Sequence, residues 1–393
     1  LFFFTHTPAY EILSGLVGSE MCIRDTHIAG TGIWFPEDII TNDEIVSSFN
    51  SYVDNFNDHN KNDIEKGNIE AMEYSSSAFI EKASGIKTRH VIDKKNILDI
   101  NTMMPRVVHE DESRLSIHAK AGIDAAKKAM DQANVGPDDI DGVILGTSHA
   151  ARNYPSVAIE IQNELGIQGY AYDMLVGCSS TTFAINNAYS DIASGLANTV
   201  LVINPEISTP FVNYAKRDIH FIFGDGCVAT VISNNKKSNN QYKILDRKLI
   251  TKFSNNIRSD WSYLARAASD EKSYDDLLFY QNGNSVFKEV CPMVAKFINN
   301  QLEENNLKAD DIKKFWLHQA NARMVNLIVS KIIGSDDFDT SLAPLPIEKF
   351  GNLASAGSMF AFNLHNDLQS GEKGLICSFG AGYSVCSIIV EKI

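Results

Sequence analysis

The chain has 393 residues, a formal net charge of −14 at pH 7, 44% hydrophobic residues and 21% charged residues. These are ordinary globular values and exclude a disordered, collagenous or coiled-coil chain. The length exceeds what one core usually serves, so two domains or a duplicated one are expected, and the acidic balance argues against a nucleic-acid binder. The six cysteines form no CxxC pair and no tight cluster. That speaks against a disulfide framework or a zinc site and points to a reducing cytoplasm.

Residues 1–25 read as a non-native or disordered leader. LFFFTHTPAYEILSGLVG is interrupted by His6, Pro8 and Glu11 and has no basic start, so it suits neither a signal peptide nor a membrane span. The following SEMCIRD resembles translated adapter sequence. No long apolar run occurs elsewhere, so no membrane association is expected.

From Thr26 the pattern alternates. THIAGTGIWFP reads as a strand into a turn. Residues 41–78 are polar, and Thr41 and Glu44 stand at capping-box spacing, which predicts a short helix there. Residues 93–113 read as a second irregular excursion. Over 114–134, Leu115, Ala119, Ile123, Ala126 and Met130 recur at helical spacing. DDIDGVILGTS predicts a buried strand, and SVAIEIQNELG a helix ending at Gly166. GYAYDMLVG reads as a strand, SSTTFAINNAYSDIASG as a helix ending at Gly195, and NTVLVIN as another buried strand. This alternation predicts an α/β fold with a mainly parallel sheet covered on both faces.

The second half repeats the logic. A helix carrying Phe287, Val290, Val294, Phe297 and Leu302 on one face contains Pro292, which predicts a kink or a late start. DDIKKFWLHQAN then parallels DDIDGVILGTSHA, and FGAGYSVCSIIV parallels FGDGCVATVIS. The helices closing on Ser194-Gly195 and Ser370-Gly371 also correspond. The expected organisation is two similar halves, 26–235 and 236–393, with chance likeness of generic α/β segments as the alternative.

Three residues stand at strand-to-helix junctions. Cys178 follows DMLVG and precedes a helix, where free N–H groups and the helix dipole favour thiolate; a buried structural cysteine is the alternative. His318 ends the strand in WLHQAN, and a satisfied loop histidine is its alternative. Asn352 lies in FGNLASAG, where a cap or turn asparagine is the plain reading. A duplicated fold would bring the three junctions to one face. Cys, His and Asn together admit two chemistries. In a cysteine hydrolase His activates the thiol; in carbon–carbon bond formation His and Asn donate hydrogen bonds to a thioester enolate. FGDG (223–226) and SFGAG (378–382) supply turns whose N–H groups can point inward. FGDGCVA nearly fits a dinucleotide fingerprint, but the strand-like segment after it excludes that site.

GCSS around Cys178, HQANAR around His318, FGN around Asn352, FGDG, the closing SFGAG and ASGIKTRHV at 83–91 together resemble the β-ketoacyl-acyl-carrier-protein synthase III family of the thiolase superfamily. The resemblance runs in order from about residue 26 to the last residue. It implies a duplicated five-layer αβαβα fold and a homodimer that needs no cofactor or metal. It implies that Cys178 takes an acyl group from a thioester, and that malonyl-acyl-carrier protein loses CO2 to give the attacking enolate. His318 and Asn352 would stabilise that enolate. The backbone N–H groups of Cys178 and Ala381 would form the oxyanion hole. Lys288, Arg323 and Lys331 match positions that face the acidic carrier protein, with Lys216 and Arg217 as looser candidates. Phe79 and Ala83 match the aromatic and arginine that hold the adenine of a coenzyme A primer. Phe79 can stack but Ala83 cannot, which favours a longer acyl primer on coenzyme A or on carrier protein. The two polar excursions resemble a longer, medium-chain subgroup, and Tyr154 matches a residue that reaches the partner subunit's acyl pocket. Head-to-head condensation, a secondary-metabolite ketosynthase, a Cys178-dependent hydrolase and a non-catalytic scaffold stand as alternatives. GTSHAARNYPS offers no glutamate base of the hydroxymethylglutaryl type.

Overall fold

A computed structural model describes residues 25–107, 115–235, 241–259, 267 and 277–393. The leader and part of the second polar excursion lie outside the described residues. In the first half the main elements are β1 (His27–Trp34), β2 (Ile39–Thr41), α1 (Asn42–His59), α2 (Ser77–Ser84), β3 (Thr88–His90), α3 (Ile117–Ala133) and β4 (Gly142–Gly146). They continue with α4 (Val157–Leu165), β5 (Tyr170–Met174), α5 (Ser180–Ser194), β6 (Thr199–Ile207) and β7 (Asp225–Ser233). The second half holds β8 (Tyr242–Ser254), β9 (Ile257–Arg258), β10 (Tyr280–Gln281), α6 (Gly283–Glu304), β11 (Ile312–Leu317), α7 (Ala322–Ile333), α8 (Gly357–Leu364), β12 (Lys373–Gly380) and β13 (Gly382–Lys392).

Nine strands form one sheet in the order β11-β12-β13-β8-β1-β7-β6-β4-β5. Only β4 with β5, β4 with β6, and β11 with β12 run parallel; the other neighbours are antiparallel. The expectation of a mainly parallel sheet therefore fails. The cause is local. β12 turns straight back into β13 at Ala381, and a parallel pair would need a long crossover there. The strands on either side of the β1–β8 joint follow the same order, β4-β6-β7-β1 and β11-β12-β13-β8. The joint itself is narrow: only His27↔Lys243 and Ile28↔Tyr242 pair across it.

Strand alternation builds the layers. Val143 and Leu145 of β4 face one cluster with α3 and α4, while Ile144 between them faces another. That second cluster is the centre of the molecule. It packs Ile185, Ala188 and Ile192 of α5 and Met359, Phe360 and Phe362 of α8 between strands of both halves. A third cluster covers the far face with α6 and α7. The result is five layers, with helices α5 and α8 in the middle.

The first polar excursion is more ordered than its composition suggests. The Thr41–Glu44 capping box forms as expected, but α1 runs for 18 residues. Ile45, Phe49 and Val53 recur every fourth position and are buried, which extends the helix beyond a short turn. Helix α6 begins at Gly283 and runs through Pro292, so the late start does not occur. No helix among the described residues is long and apolar enough to cross a membrane.

Candidate active site

Cys178 lies in a tight turn, Gly177–Ser179, between β5 and α5. The turn closes because Gly380 lets β12 pass directly against it. A Cβ at Gly380 would meet the Cys178 Cβ at 2.5 Å. Two backbone N–H groups, those of Cys178 itself and of Ala381, point at the sulfur. The side chain is only partly enclosed because it opens onto a cavity. Burial nevertheless pushes its thiol up to about 12, and the nearby Glu206 carboxyl adds to the rise. The two N–H groups pull the other way but do not prevail. The expected thiolate at a helix N-terminus is thus not the resting form. Desolvation outweighs the dipole, and the resting group is a thiol.

His318 follows β11 directly and is 2% exposed. Its N–H donates to the Cys377 carbonyl at 2.8 Å, which ties it to β12, and its ring meets the Phe379 edge at 5.2 Å. Burial lowers its pKa to about 4, against the pull of the Ala354 carbonyl, so the imidazole is neutral near pH 7. Asn352 is buried, and its Oδ1 accepts from the Ala354 N–H at 2.9 Å. That bond fixes the amide and leaves its NH2 group as the available donor. Ala354 thus serves both residues through its backbone, at an unusual φ of 42°.

The FGDG turn of the first half holds this loop. Asn352 N donates to the Ile222 carbonyl at 2.9 Å, and Gly224 N donates to the Asn352 carbonyl at 3.2 Å. A Cβ at Gly224 would strike the Phe350 carbonyl oxygen at 2.1 Å. Asp225 is buried and gathers the N–H groups of Ile92, Ser208 and Thr209 with the Thr209 hydroxyl. Of the two Gly-rich turns, only SFGAG aims an N–H at the site; FGDG acts as its brace.

Cys178, His318 and Asn352 line one cavity of about 520 Å³, together with Gly380 and Phe379. The arrangement pairs a nucleophilic sulfur with two backbone donors, a neutral imidazole and an oriented amide.

This arrangement agrees with comparison to known proteins. Residues 172–252 match the family model for 3-oxoacyl-[acyl-carrier-protein] synthase III, and residues 302–392 match the model of its C-terminal part. The chain is 45% identical over 350 residues to a β-ketodecanoyl-[acyl-carrier-protein] synthase of Pseudomonas aeruginosa, covering 88% of this chain and 100% of the relative. It is 26% identical to a β-ketoacyl-[acyl-carrier-protein] synthase III of Methylococcus capsulatus, covering 94% of this chain and 99% of the other. The chain belongs to the 3-oxoacyl-[acyl-carrier-protein] synthase III family. Its fold is that of the solved synthase III of Aquifex aeolicus, with a TM-score of 0.71 at 22% identity, covering 93% of this chain and 99% of that one. A priming β-ketosynthase of the R1128 polyketide pathway shares it too, at a TM-score of 0.73 and 21% identity, covering 94% and 96%.

This synthase III is an acyl-transferring condensing enzyme of fatty-acid biosynthesis. The residues expected around its site fall into three groups. Phe79, Ala83, Lys288 and Arg323 line the same cavity as Cys178. Lys331 does not; it sits in the last turn of α7, about 12 Å along the helix from Arg323. Tyr154 is 84% exposed and lines no part of the cavity.

An arginine from elsewhere in the chain meets Phe79. The guanidinium of Arg217 stands over the Phe79 ring, 4.0 Å from its centroid. Arg217 Nε donates to the Tyr74 carbonyl at 2.7 Å, and Glu73 lies 3.7 Å away. Arg217, from the segment before FGDG, thus stacks directly on Phe79, a residue that lines the cavity. Ala83 is one helical turn from Phe79 and only lines the wall.

Proposed function

We propose that the enzyme condenses a medium-chain acyl primer with malonyl-acyl-carrier protein. Cys178 attacks the primer thioester, the acyl group moves to its sulfur, and the Cys178 proton leaves with the departing thiol. Malonyl-acyl-carrier protein then loses CO2, and its enolate carbon attacks the acyl-cysteine carbonyl. The cysteine sulfur departs and recovers a proton, and a β-ketoacyl product two carbons longer is released. The observation that carries this reading is the single cavity holding Cys178, His318 and Asn352, with two backbone N–H groups converging on the sulfur. Those N–H groups suit the acyl oxyanion. Decarboxylation makes its own carbanion, so the enolate needs donors more than a base. The Asn352 NH2 supplies one donor; neutral His318 supplies another when its single N–H turns from the Ala354 carbonyl to the enolate oxygen.

An eight-carbon primer is favoured, because the 45% identical relative is named for a ten-carbon β-ketoacyl product. Lys288 and Arg323 at the cavity mouth suit an acidic carrier protein, giving a weak, salt-sensitive contact. A homodimer is favoured by the open outer edge of β5 and by the exposed Tyr154 and Leu175 flanking it. The reading requires neither metal nor organic cofactor.

The test offers acyl primers of two to twelve carbons, on coenzyme A and on carrier protein, together with malonyl-acyl-carrier protein. Intact mass reports acyl-Cys178 and product, and light scattering reports the assembly. A product two carbons longer, best from eight carbons and lost in Cys178→Ala, is expected. Acyl-enzyme that only hydrolyses, with malonyl-acyl-carrier protein untouched, would overturn the reading in favour of a hydrolase.

A further inference from the structure

Glu206 is out of place by composition. It is a fully buried carboxyl in β6, a strand buried at all nine positions. Its Oε1 accepts from the Ser148 N–H at 2.9 Å, from the Ser355 N–H at 3.2 Å and from the Ser355 hydroxyl. Its Oε2 lies 3.5 Å from the Thr147 hydroxyl. All four donors are neutral. The charged form therefore has hydrogen bonds but no counter-ion, and burial pushes the carboxyl up to about 7.

The donors are not scattered. The Thr147 carbonyl accepts from Ser180 Oγ at 3.0 Å, and the Ser355 carbonyl accepts from Thr181 Oγ1 at 2.6 Å. Ser180 and Thr181 open α5, two and three residues after Cys178. Ser355 closes the turn that begins at Asn352. One carboxyl thus spans the turn after β4 and the Asn352 turn, and both turns grip the start of the cysteine helix.

We propose that Glu206 is a positioning residue: its carboxyl fixes the Asn352–Ser355 turn against the start of α5, and its negative charge disfavours the Cys178 thiolate in the empty enzyme. This rests on the roles given to Cys178 and Asn352 above. The ionisable groups around it are few. Glu206 acts on Cys178 and on Cys227 of β7, raising both thiols. His318, in the same cavity as Cys178, is neutral. A negative charge held on the turns that grip the start of the cysteine helix, with only neutral hydrogen-bond donors upon it, keeps the proton on sulfur until a thioester arrives to take up the electron pair.

Two substitutions separate the two effects. Glu206→Gln keeps the shape and an acceptor but removes the charge. Ser355→Ala keeps the charge and the backbone N–H bond but removes the hydroxyl bond, which loosens the link to the Asn352 turn. Iodoacetamide alkylation of Cys178 is followed by intact mass from about pH 6 to 9. CO2 release is measured from malonyl-acyl-carrier protein on enzyme already carrying an octanoyl group. In Glu206→Gln, alkylation at pH 8 should rise about tenfold over wild type, and the gap should close as Glu206 itself becomes neutral below about pH 7. In Ser355→Ala, the alkylation profile should match wild type while CO2 release slows about tenfold. An unmoved alkylation profile in Glu206→Gln would overturn the electrostatic role, and wild-type CO2 release in Ser355→Ala would overturn the positioning role. If wild-type enzyme neither acylates Cys178 nor releases CO2, the condensing reading itself falls, and this inference with it.

Discussion

Burial sets the acid–base character of this protein residue by residue. His118, His149, His220 and His318 each lie near 4 instead of 6.5, because burial disfavours the imidazolium. Between about pH 4 and 6.5 the unfolded chain binds protons that these four side chains refuse in the fold, so stability must rise with pH. Two buried carboxyls act oppositely: Glu206 rises from 4.5 to about 7 and Asp225 from 3.8 to about 6. They hold protons in the fold that the unfolded chain has released, so their contribution falls as pH rises. His365 is lowered and Asp173 raised in the same way, so five histidines outweigh three carboxyls, and Tm should climb from about pH 4.5 to 6.5, more steeply in Glu206→Gln. A flat or falling Tm in buffered thermal scans would contradict this. Cys178 and His318 were readable as strand-end residues, whereas Asn352 follows a short helix, Ile347–Phe350, and not the expected strand; one cavity still collects all three. Ala354 was not readable, because it works through its backbone and leaves no side-chain signature. Glu206 did leave one, as the single charge in the apolar run NTVLVINPEIS.

Among the elements, α1 and the segment behind it decide what happens at the mouth. Phe49 of α1 stacks on the His220 ring at 4.4 Å, and His220 meets Phe221, which lines the cavity. Glu73 and the Tyr74 carbonyl then hold Arg217 over Phe79. A cation over an aromatic face contributes about 0.5–2 kcal/mol, so a primer that uses this pair should lose up to about thirtyfold in affinity without it. Arg217→Ala should therefore raise KM for octanoyl-coenzyme A and leave kcat unchanged. Equal KM values for mutant and wild type, on coenzyme A and on carrier protein alike, would show that the pair does not touch the primer. Polar composition hid the length of α1 but not its start, although Ile45, Phe49 and Val53 already marked a buried stripe. Arg217 was hidden by distance: it comes far along the chain from Phe79, and only folding brings the two together.

The whole molecule is two similar halves that cannot be separated cleanly. Among the described residues, β1 and β8 join them at two residue pairs and Phe223 bridges to Asn352, while α5 and α8 share one apolar cluster with strands from both sides. Bonds such as Ser179 Oγ to the Ser384 carbonyl, at 2.9 Å, cross the same boundary. The protein should therefore unfold in one cooperative step, with calorimetric and van't Hoff enthalpies in agreement. Two resolved transitions would mean that the halves are independent domains. The repeat itself was legible, because DDI-strand and FGxG-strand segments recur in order. Strand direction was not, since a turn as short as that at Ala381 leaves no periodic trace.

That Ala381 contact also bears on biosynthesis. A ribosome completes Cys178 long before it reaches the turn that supplies the second N–H to its sulfur. The Asn352 loop is likewise late, and it is braced by the early FGDG turn waiting for it. A nascent or truncated chain thus carries the thiol without its electrophilic surroundings. On the proposed mechanism, thioester turnover waits until the last two strands have docked.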